Sequence, residues 1–591
     1  MRRPSQPALS PGGLDSSTVA TPAVQSDAAR EPDTKAAGMR PQWRPRVPRI
    51  VAWVVRVAAV FAVLDVLDPD VRPKPLLGPA MDALVDGTAF ATAMCSAGAM
   101  LVLAGALQRR KRRAWVLMTV VVTVGALAHL KAERWTVVAV NVAVLALLVW
   151  ARSDFTARSE RATRRAALRV FVVLGSVSFV AGLFLTTRTA PNSPIADRVV
   201  ETFFGLLGFT PDLDFRRQFA SDLTEFALNS LGALTALLTL VALLRPARKA
   251  PTLSADDEAR LREMLAKFGC RDSLGYFALR GDKTAIFSPS GKAAVVYRVV
   301  GSVTLASGDP LGDPEAWPQA IEAWLAEAES YAWTPGVLGA SEAAAIAYKR
   351  AGLDSLEMGD EAILDLDEFS LEGRSMRVVR QAVNRVRRAG YTLDVTRQKD
   401  LAPEDLAEAV ATAEALREED VERGFSMALG RLGDPRDPDL LVARTRDGQG
   451  RLVAVLGFVP WGDDGLSLDL MRRSKDSENG TVEFAVIGVV EAVKALGVKR
   501  ISLNFAVFRS VFERGSRVGA GPVLRLWHRL LMVASQWWQI ESLYRANVKY
   551  NPEWVPRFVC FRKAGELPRV VIAGAEAEAF FQRPRLRWLA P

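Results

Sequence analysis

The run Leu468-Asp469-Leu470-Met471-Arg472-Arg473 closes an alternating strand pattern (Leu466, Leu468, Leu470) with an acid and an arginine. Glu483 follows near the start of the next helical pattern. An acid and a guanidinium at a strand end beside a helix N-terminus can orient an amine, stabilise an oxyanion or hold a phosphate. An exposed ion pair at a strand edge is the plainer alternative. A second group runs from Trp537-Trp538 through Glu541, Tyr544, Arg545, Lys549, Tyr550 and Trp554 to Phe558, with Pro552 and Pro556 fixing the backbone. Interleaved aromatic and cationic side chains suit stacking on a nucleotide or holding a lipid head group; a packed amphipathic helix and turn would read the same way. The third is the helical pattern Arg374–Arg388. Met376, Val379, Val383 and Val386 form its apolar face, and Arg377, Arg380, Arg385, Arg387 and Arg388 make the rest basic. Phosphate backbones bind such a surface, and a solvated helix face looks no different in sequence.

The absences narrow the chemistry. The sequence has no phosphate-binding GxxxxGK[ST] loop, GxSxG elbow, HExxH or kinase motif set. Ser290-Gly291-Lys292 is too short for a nucleotide loop and reads as a strand turn. Two histidines (His129, His528) and three dispersed cysteines (Cys95, Cys270, Cys560) offer no metal-ligand spacing and no disulfide framework. We expect no cofactor and no metal, and any group that is transferred should arrive already activated.

The elements that must position these residues fall into two populations. The 591 residues are 50% hydrophobic yet 24% charged, with a net charge of +10. A single homogeneous globular fold rarely combines these values. Residues 1–48 read as a disordered cytoplasmic tail, rich in Pro, Ser, Ala, Asp and Arg and without the apolar core of a signal peptide. A transmembrane domain at 49–246 is expected, with about six helices near 50–67, 84–107, 114–130, 135–151, 167–187 and 223–244. Each is long enough for a hydrocarbon core of about 30 Å. Basic stretches (Arg40–Arg49, Arg109–Arg113, Arg152–Arg165, Arg245–Lys249) alternate with mixed or acidic loops. The positive-inside rule then places both termini in the cytoplasm and the chain in the cell membrane as a multi-pass protein.

From Thr252 onward the pattern is that of α/β domains. Helices are expected at Ala255–Phe268, Ala316–Glu329, Glu342–Ala351, Arg374–Ala389 and Val482–Leu496. Strands are expected at Tyr276–Leu279, Ala285–Ser288, Ala293–Val300, Ser302–Ala306, Trp333–Leu338, Leu440–Arg444, Leu452–Val459, Gly465–Leu470 and Arg500–Phe505. The pattern repeats after an acidic stretch at Asp360–Glu368, which argues for two domains of similar kind, 252–372 and 373–591.

In order along the chain stand Gly275-Tyr276-Phe277-Ala278-Leu279 with Gly281-Asp282-Lys283, Tyr297-Arg298-Val299-Val300-Gly301, and Gly308-Asp309-Pro310. They are followed by Gly424-Phe425-Ser426, Asp469-Leu470-Met471-Arg472, Leu543-Tyr544-Arg545 and Lys549-Tyr550-Asn551-Pro552-Glu553-Trp554. This set, behind a membrane region, resembles the lysyl-phosphatidylglycerol synthase (multiple peptide resistance factor) family over Leu253–Pro591. Trp537–Phe558 is especially similar to mycobacterial members fused to a lysyl-tRNA synthetase. With the chain ending at Pro591, that synthetase is expected to be absent, as is most of the flippase module of long members. The resemblance implies tandem GNAT-type acyltransferase domains, the second carrying the active site. It also implies transfer of an aminoacyl group, lysine first, from aminoacyl-tRNA to the hydroxyl of phosphatidylglycerol, making the membrane surface less negative. Alanine or ornithine as the moved group, diacylglycerol as acceptor, and a non-catalytic lipid- or tRNA-binding protein are the alternatives; a homo-oligomer is left open. The roles it implies are catalytic for Asp469, Arg472, Glu483 and Lys549. Substrate binding falls to Glu541, Tyr544, Arg545 and Trp554, and tRNA binding to Arg377, Arg380, Arg387 and Arg388. Asp469 or Glu483 would bind the α-amine or help deprotonate the hydroxyl, and Arg472 and Lys549 would hold the phosphate or the developing oxyanion.

Overall fold

In this computed structural model the described residues are 50–57, 60, 95, 97–108, 110–131, 135–152, 155, 161–207, 218–244, 252–417, 424–507 and 546–580. The tail at 1–48, half of each of the first two expected spans, and the segment holding Trp537-Trp538, Glu541, Tyr544 and Arg545 lie outside them.

The apolar half contains helices α1 (Arg112–Lys131), α2 (Trp135–Trp150), α3 (Arg161–Thr189), α4 (Ile195–Leu206) and α5 (Gln218–Leu243). Two helical stretches among the described residues, Arg164–Thr189 and Leu223–Leu243, are long and apolar enough to cross a membrane. The twelve-residue α4 was not expected, and at 1.5 Å per residue it is too short to span. It packs between α3 and α5 where glycines let backbones approach. A β-carbon on Gly232 would stand 1.9 Å from the Leu206 carbonyl oxygen, and one on Gly182 would stand 2.5 Å from Leu228. Hydroxyls join the same helices, with Ser178 and Thr235 3.0 Å apart and Thr186 and Thr202 3.2 Å apart.

The charged half begins with α6 (Ala255–Phe268), capped by Ser254, whose hydroxyl accepts the Asp257 N–H at 3.1 Å. Strands β1 (Thr284–Phe287), β2 (Ala293–Val300), β3 (Val303–Ser307) and the short β4 (Leu311–Gly312) follow. Next come α7 (Trp317–Ser330), β5 (Thr334–Ala340), α8 (Glu342–Arg350) and β6 (Asp354–Asp365). The pattern resumes with α9 (Arg377–Arg388), β7 (Thr392–Arg397), α10 (Pro403–Ala415), β8 (Leu441–Arg446), β9 (Leu452–Trp461), β10 (Gly465–Arg473), α11 (Thr481–Lys494) and β11 (Arg500–Val507). The last two elements are β12 (Glu553–Phe561) and α12 (Leu567–Ala577).

All these strands join one mixed sheet in the order β1-β2-β3-β5-β12-β6-β11-β10-β9-β8-β7, with β4 on β2. Pairing is antiparallel except at β3–β5 and β10–β11. These two parallel pairs hold equivalent places in the two halves, each joined through one helix (α7 or α11). The join between the halves is less modular than the sequence suggested. β12 leaves the second half and inserts between β5 and β6 of the first. α12 then covers the first half, with Val570 and Ala573 buried against Val303, Leu305 and Leu338. The residues 553–577 thus complete the fold of the chain that precedes residue 372.

Three sequence expectations are corrected. Tyr276–Leu279 lies in a 3-10 turn (Gly275–Leu279) that packs Phe277 and Leu279 into the core. The acidic stretch near Asp360 belongs to the twelve-residue strand β6. Glu553 to Phe558 is strand rather than a proline-fixed surface turn, since β12 runs antiparallel to β6 through Pro556.

Candidate active site

The parallel pair β10–β11 is laddered only at its start, from Gly465↔Arg500 to Ser467↔Ser502. Beyond those serines the strands part. β10 bulges between Leu468 and Leu470 in its pairing with β9, so Asp469 is the inserted residue. β11 is irregular between Ser502 and Phe505 in its pairing with β6, and Asn504 there has φ +68°. Asn504 Nδ2 donates to the Leu468 carbonyl at 2.7 Å, filling in for the lost ladder bond. Its Oδ1 is a buried acceptor with no hydrogen-bond partner among the described residues. The result is a wedge-shaped opening between two strand ends, edged by Asp469 and Asn504. In the first half the equivalent pair stays closed. β3 and β5 pair through Ser307↔Leu338, and the Gly308 N–H continues the ladder to the Leu338 carbonyl at 2.8 Å.

A buried ionic cluster sits where the wedge begins. Arg557 on β12 donates from Nε and Nη2 to Glu361 Oε2 (2.9 and 2.5 Å), from Nη1 to Asp272 Oδ1 (2.8 Å) and from Nη2 to the Ser273 hydroxyl (2.7 Å). The Ser273 and Ser502 hydroxyls both donate to Glu361 Oε1, and the Ser467 hydroxyl donates to the Ser273 carbonyl at 2.7 Å. The last laddered residues of β10 and β11 are therefore pinned to the other half, at the turn holding Ser273 and at β6. Burial opposes the Arg557 charge, but Glu361, Asp272 and Asp309 hold its pKa above the ordinary arginine value. Asp309 accepts from the Ser341 N–H (2.8 Å) and hydroxyl (2.6 Å). Burial first, and the Asp272 charge second, push its carboxyl up to about 7.

After β10 the chain turns through Gly480, whose φ is +105°, into α11. Glu483 stands in the first turn of α11 and forms an ion pair with Lys549, just ahead of β12. Tyr550, next to Lys549, is buried in the second half's core, and its hydroxyl has no hydrogen-bond partner among the described residues. Burial, with the Glu483 charge adding, raises its pKa well above that of an exposed phenol.

α9 lies against α11, and Arg385 Nη1 reaches the Asn479 carbonyl at 3.5 Å. Arg377, Arg387 and Arg388 are exposed. Arg380 is turned inward, donating to the carbonyls of Leu371 and of Gly373 (2.8 Å). Arg472 is half-buried on β10, opposite Val455 of β9. Trp554 pairs with Ala362 across β12–β6 and packs on the second half's core.

The structure thus joins Glu483 to Lys549 and puts Asp469 at the mouth of the strand wedge, while Glu541, Tyr544 and Arg545 lie outside the described residues. Sequence reasoning missed Asn504 and the Arg557–Glu361 cluster, and it named Tyr550 without its burial. An asparagine in the middle of a strand pattern is the available signal for the first, since Asn is depleted in strands.

A family model described as phosphatidylglycerol lysyltransferase, C-terminal, matches residues 262–561, and one described as the transmembrane region of lysyl-tRNA synthetase matches residues 43–245. The lysylphosphatidylglycerol biosynthesis bifunctional protein LysX of Rhodococcus opacus (strain B4) is 43% identical over 555 residues, which cover 91% of this chain and 49% of that protein. The protein of the same name from Mycobacterium avium (strain 104) is 41% identical over 558 residues, covering 91% and 47%. The chain therefore spans about half the length of the curated relatives it matches. Among solved structures, L-PGS from Bacillus licheniformis aligns with a TM-score of 0.48 and 23% identity, covering 57% of this chain and 99% of that one.

Proposed function

This chain belongs to the phosphatidylglycerol lysyltransferase family, behind a membrane region of the kind attached to lysyl-tRNA synthetase, and from that premise we propose that it is an aminoacyltransferase acting at the cytoplasmic face of the cell membrane. The reaction is ester exchange: the free hydroxyl of phosphatidylglycerol attacks the ester carbonyl of lysyl-tRNA. A new ester C–O bond forms, the bond to the tRNA ribose breaks, and the hydroxyl's proton passes to the departing ribose oxygen. No nucleotide is consumed, because the donor ester is already activated. The product is a lipid with added positive charge.

The observation that carries this reading is the wedge between β10 and β11, with Asp469 in the bulge and the Glu483–Lys549 pair at the neighbouring helix start. An ester threaded between the strand ends lies against Asp469 and Asn504. Asp469 takes the α-ammonium or the hydroxyl proton, and the Asn504 Oδ1 offers a second acceptor to the ammonium. Lys549, oriented by Glu483, and Arg472 face the phosphate or the oxyanion as it develops. The exposed arginines of α9, next to the start of α11, supply the basic approach for tRNA phosphates. We read the two halves as tandem GNAT-type domains with the working site in the second, consistent with the closed strand pair of the first. Several membrane spans hold the body at 252–580 on the cytoplasmic side, where tRNA is present, and tethering it there raises the effective concentration of lipid.

Asp469→Ala in membranes supplied with labelled lysyl-tRNA tests the assignment. We expect labelled lipid to fall at least about 100-fold with membrane insertion unchanged. Wild-type yield from that variant contradicts it. Alanyl- and ornithyl-tRNA run in parallel identify the moved group, and no labelled lipid with any donor leaves a lipid- or tRNA-binding protein.

A further inference from the structure

Asp469 does not sit on its strand unaided: the Leu429 N–H donates to its Oδ1 at 2.5 Å. Leu429 belongs to the segment 424–431, which is held from several directions by parts of the chain remote from β10. The carboxylate of Glu578, at the end of α12, accepts the Phe425 N–H (2.5 Å) and the Ser426 N–H (3.0 Å) with its two oxygens. Arg280 Nη1 donates to the carbonyls of Gly424 and of Ala428 (3.0 Å), while its Nε is fixed by Asp282 at 2.9 Å. Asp282 is held in turn by Arg298, whose Nη2 reaches the Ala577 carbonyl at 2.8 Å. The Phe425 ring, fully buried, lies under Lys283 Nζ (4.7 Å) and the Arg298 guanidinium (5.1 Å). Gly424 makes the turn possible, with φ +110° and a would-be β-carbon only 2.5 Å from that of Ala428.

We propose that 424–431 is a positioning loop through which Glu578 and Arg280 hold the Asp469 carboxylate in its working orientation. This rests on the reading of Asp469 as a catalytic residue. Glu578 and Arg280 act through the loop and are positioning residues. The arrangement gives the first half, which lacks an open strand wedge, a task in the reaction of the second.

The test uses the full chain in phosphatidylglycerol liposomes with labelled lysyl-tRNA. Glu578→Gln keeps the side chain's shape but sets an amide donor against one of the two N–H groups. We expect kcat to fall about 10- to 100-fold, the cost of a small misplacement of a reacting group, with KM for lysyl-tRNA within about twofold. Arg280→Met should act in the same way and Arg280→Lys should restore part of the rate. In an Asp469→Asn background Glu578→Gln should add little, because both changes act on one group. Unchanged kcat in Glu578→Gln overturns the proposal, and so does a loss confined to the fraction of folded protein. Amide hydrogen exchange judges the clamp independently of activity. Faster exchange over 424–431 in Glu578→Gln supports it and unchanged exchange overturns it. A wild-type protein that makes no aminoacylated lipid refutes the transferase reading instead.

Discussion

Asp309 and Lys283 show what burial does to single charges in this protein. Asp309 is pushed up to about 7 by burial, with Asp272 adding and Arg557 opposing. A carboxyl that holds its proton more tightly folded than unfolded contributes stability that is complete below the unfolded pKa of about 4 and lost as pH rises towards 7. Asp309→Asn fixes the neutral form. We therefore expect its Tm to vary less than that of wild type between pH 4 and 7, as read by thermal unfolding across that range. Lys283 has the opposite sign. Burial pushes its amine down to about 7, so the native state binds fewer protons than the unfolded chain between about pH 7 and 10. Stability should rise with pH over that interval, and Lys283→Met should remove the rise. Of these two side chains, sequence alone marked only that each stands in a short motif. Neither burial nor the partners Ser307 and Ser341 can be read from neighbours in the chain.

At the scale of elements, legibility followed periodicity. α6, α7, α8, α9 and α11 announce themselves by apolar spacing, and their observed bounds lie within a few residues of those expected. β10 was visible for the same reason, but it runs on to Arg473, so Asp469 lies at a bulge within the strand rather than at its end. β6 and β12 were not. β6 carries Glu357, Asp360 and Glu361, and β12 carries Pro556 and Arg557, where a strand pattern calls for apolar residues. Glu361 and Arg557 satisfy each other only once the two strands are paired, a fact of tertiary structure. The same pairing makes β12 vulnerable. Arg557→Met strands Glu361, which is fully buried, and removal of one partner from a buried ion pair costs about 3–5 kcal/mol. Chemical denaturation should register that loss in both halves together, since β6, which carries Glu361, is bonded to β12 on one side and to β11 of the second half on the other. The bulges that open the wedge were equally hidden, because a strand's departure from its neighbour depends on a neighbour the sequence does not name.

The whole molecule couples an apolar helical part to a charged α/β body, and its unusual mix of apolar and charged residues is divided between the two along the chain. The apolar half packs through glycine contacts rather than burial from water, so Gly232→Val should lower the thermal stability of the membrane unit in detergent, with the Leu206 carbonyl displaced. The membrane unit meets the charged body where Arg110 lies 3.5 Å from Glu329, and within the membrane unit Lys111 Nζ donates to the Leu244 carbonyl at 2.6 Å. Part of the +10 net charge belongs to arginines of the stretches between the expected spans, and the exposed arginines of α9, which packs on α11, form a basic surface beside the site. The central claim, transfer of an activated ester to lipid, is tested most directly by one reconstitution. The purified full chain is placed in phosphatidylglycerol liposomes and given labelled lysyl-tRNA without ATP. Label moving into a lipid of increased positive charge, and staying on tRNA when phosphatidylglycerol is left out, is the predicted result. Label that stays on tRNA with phosphatidylglycerol present, or that moves only when ATP is supplied, would contradict it.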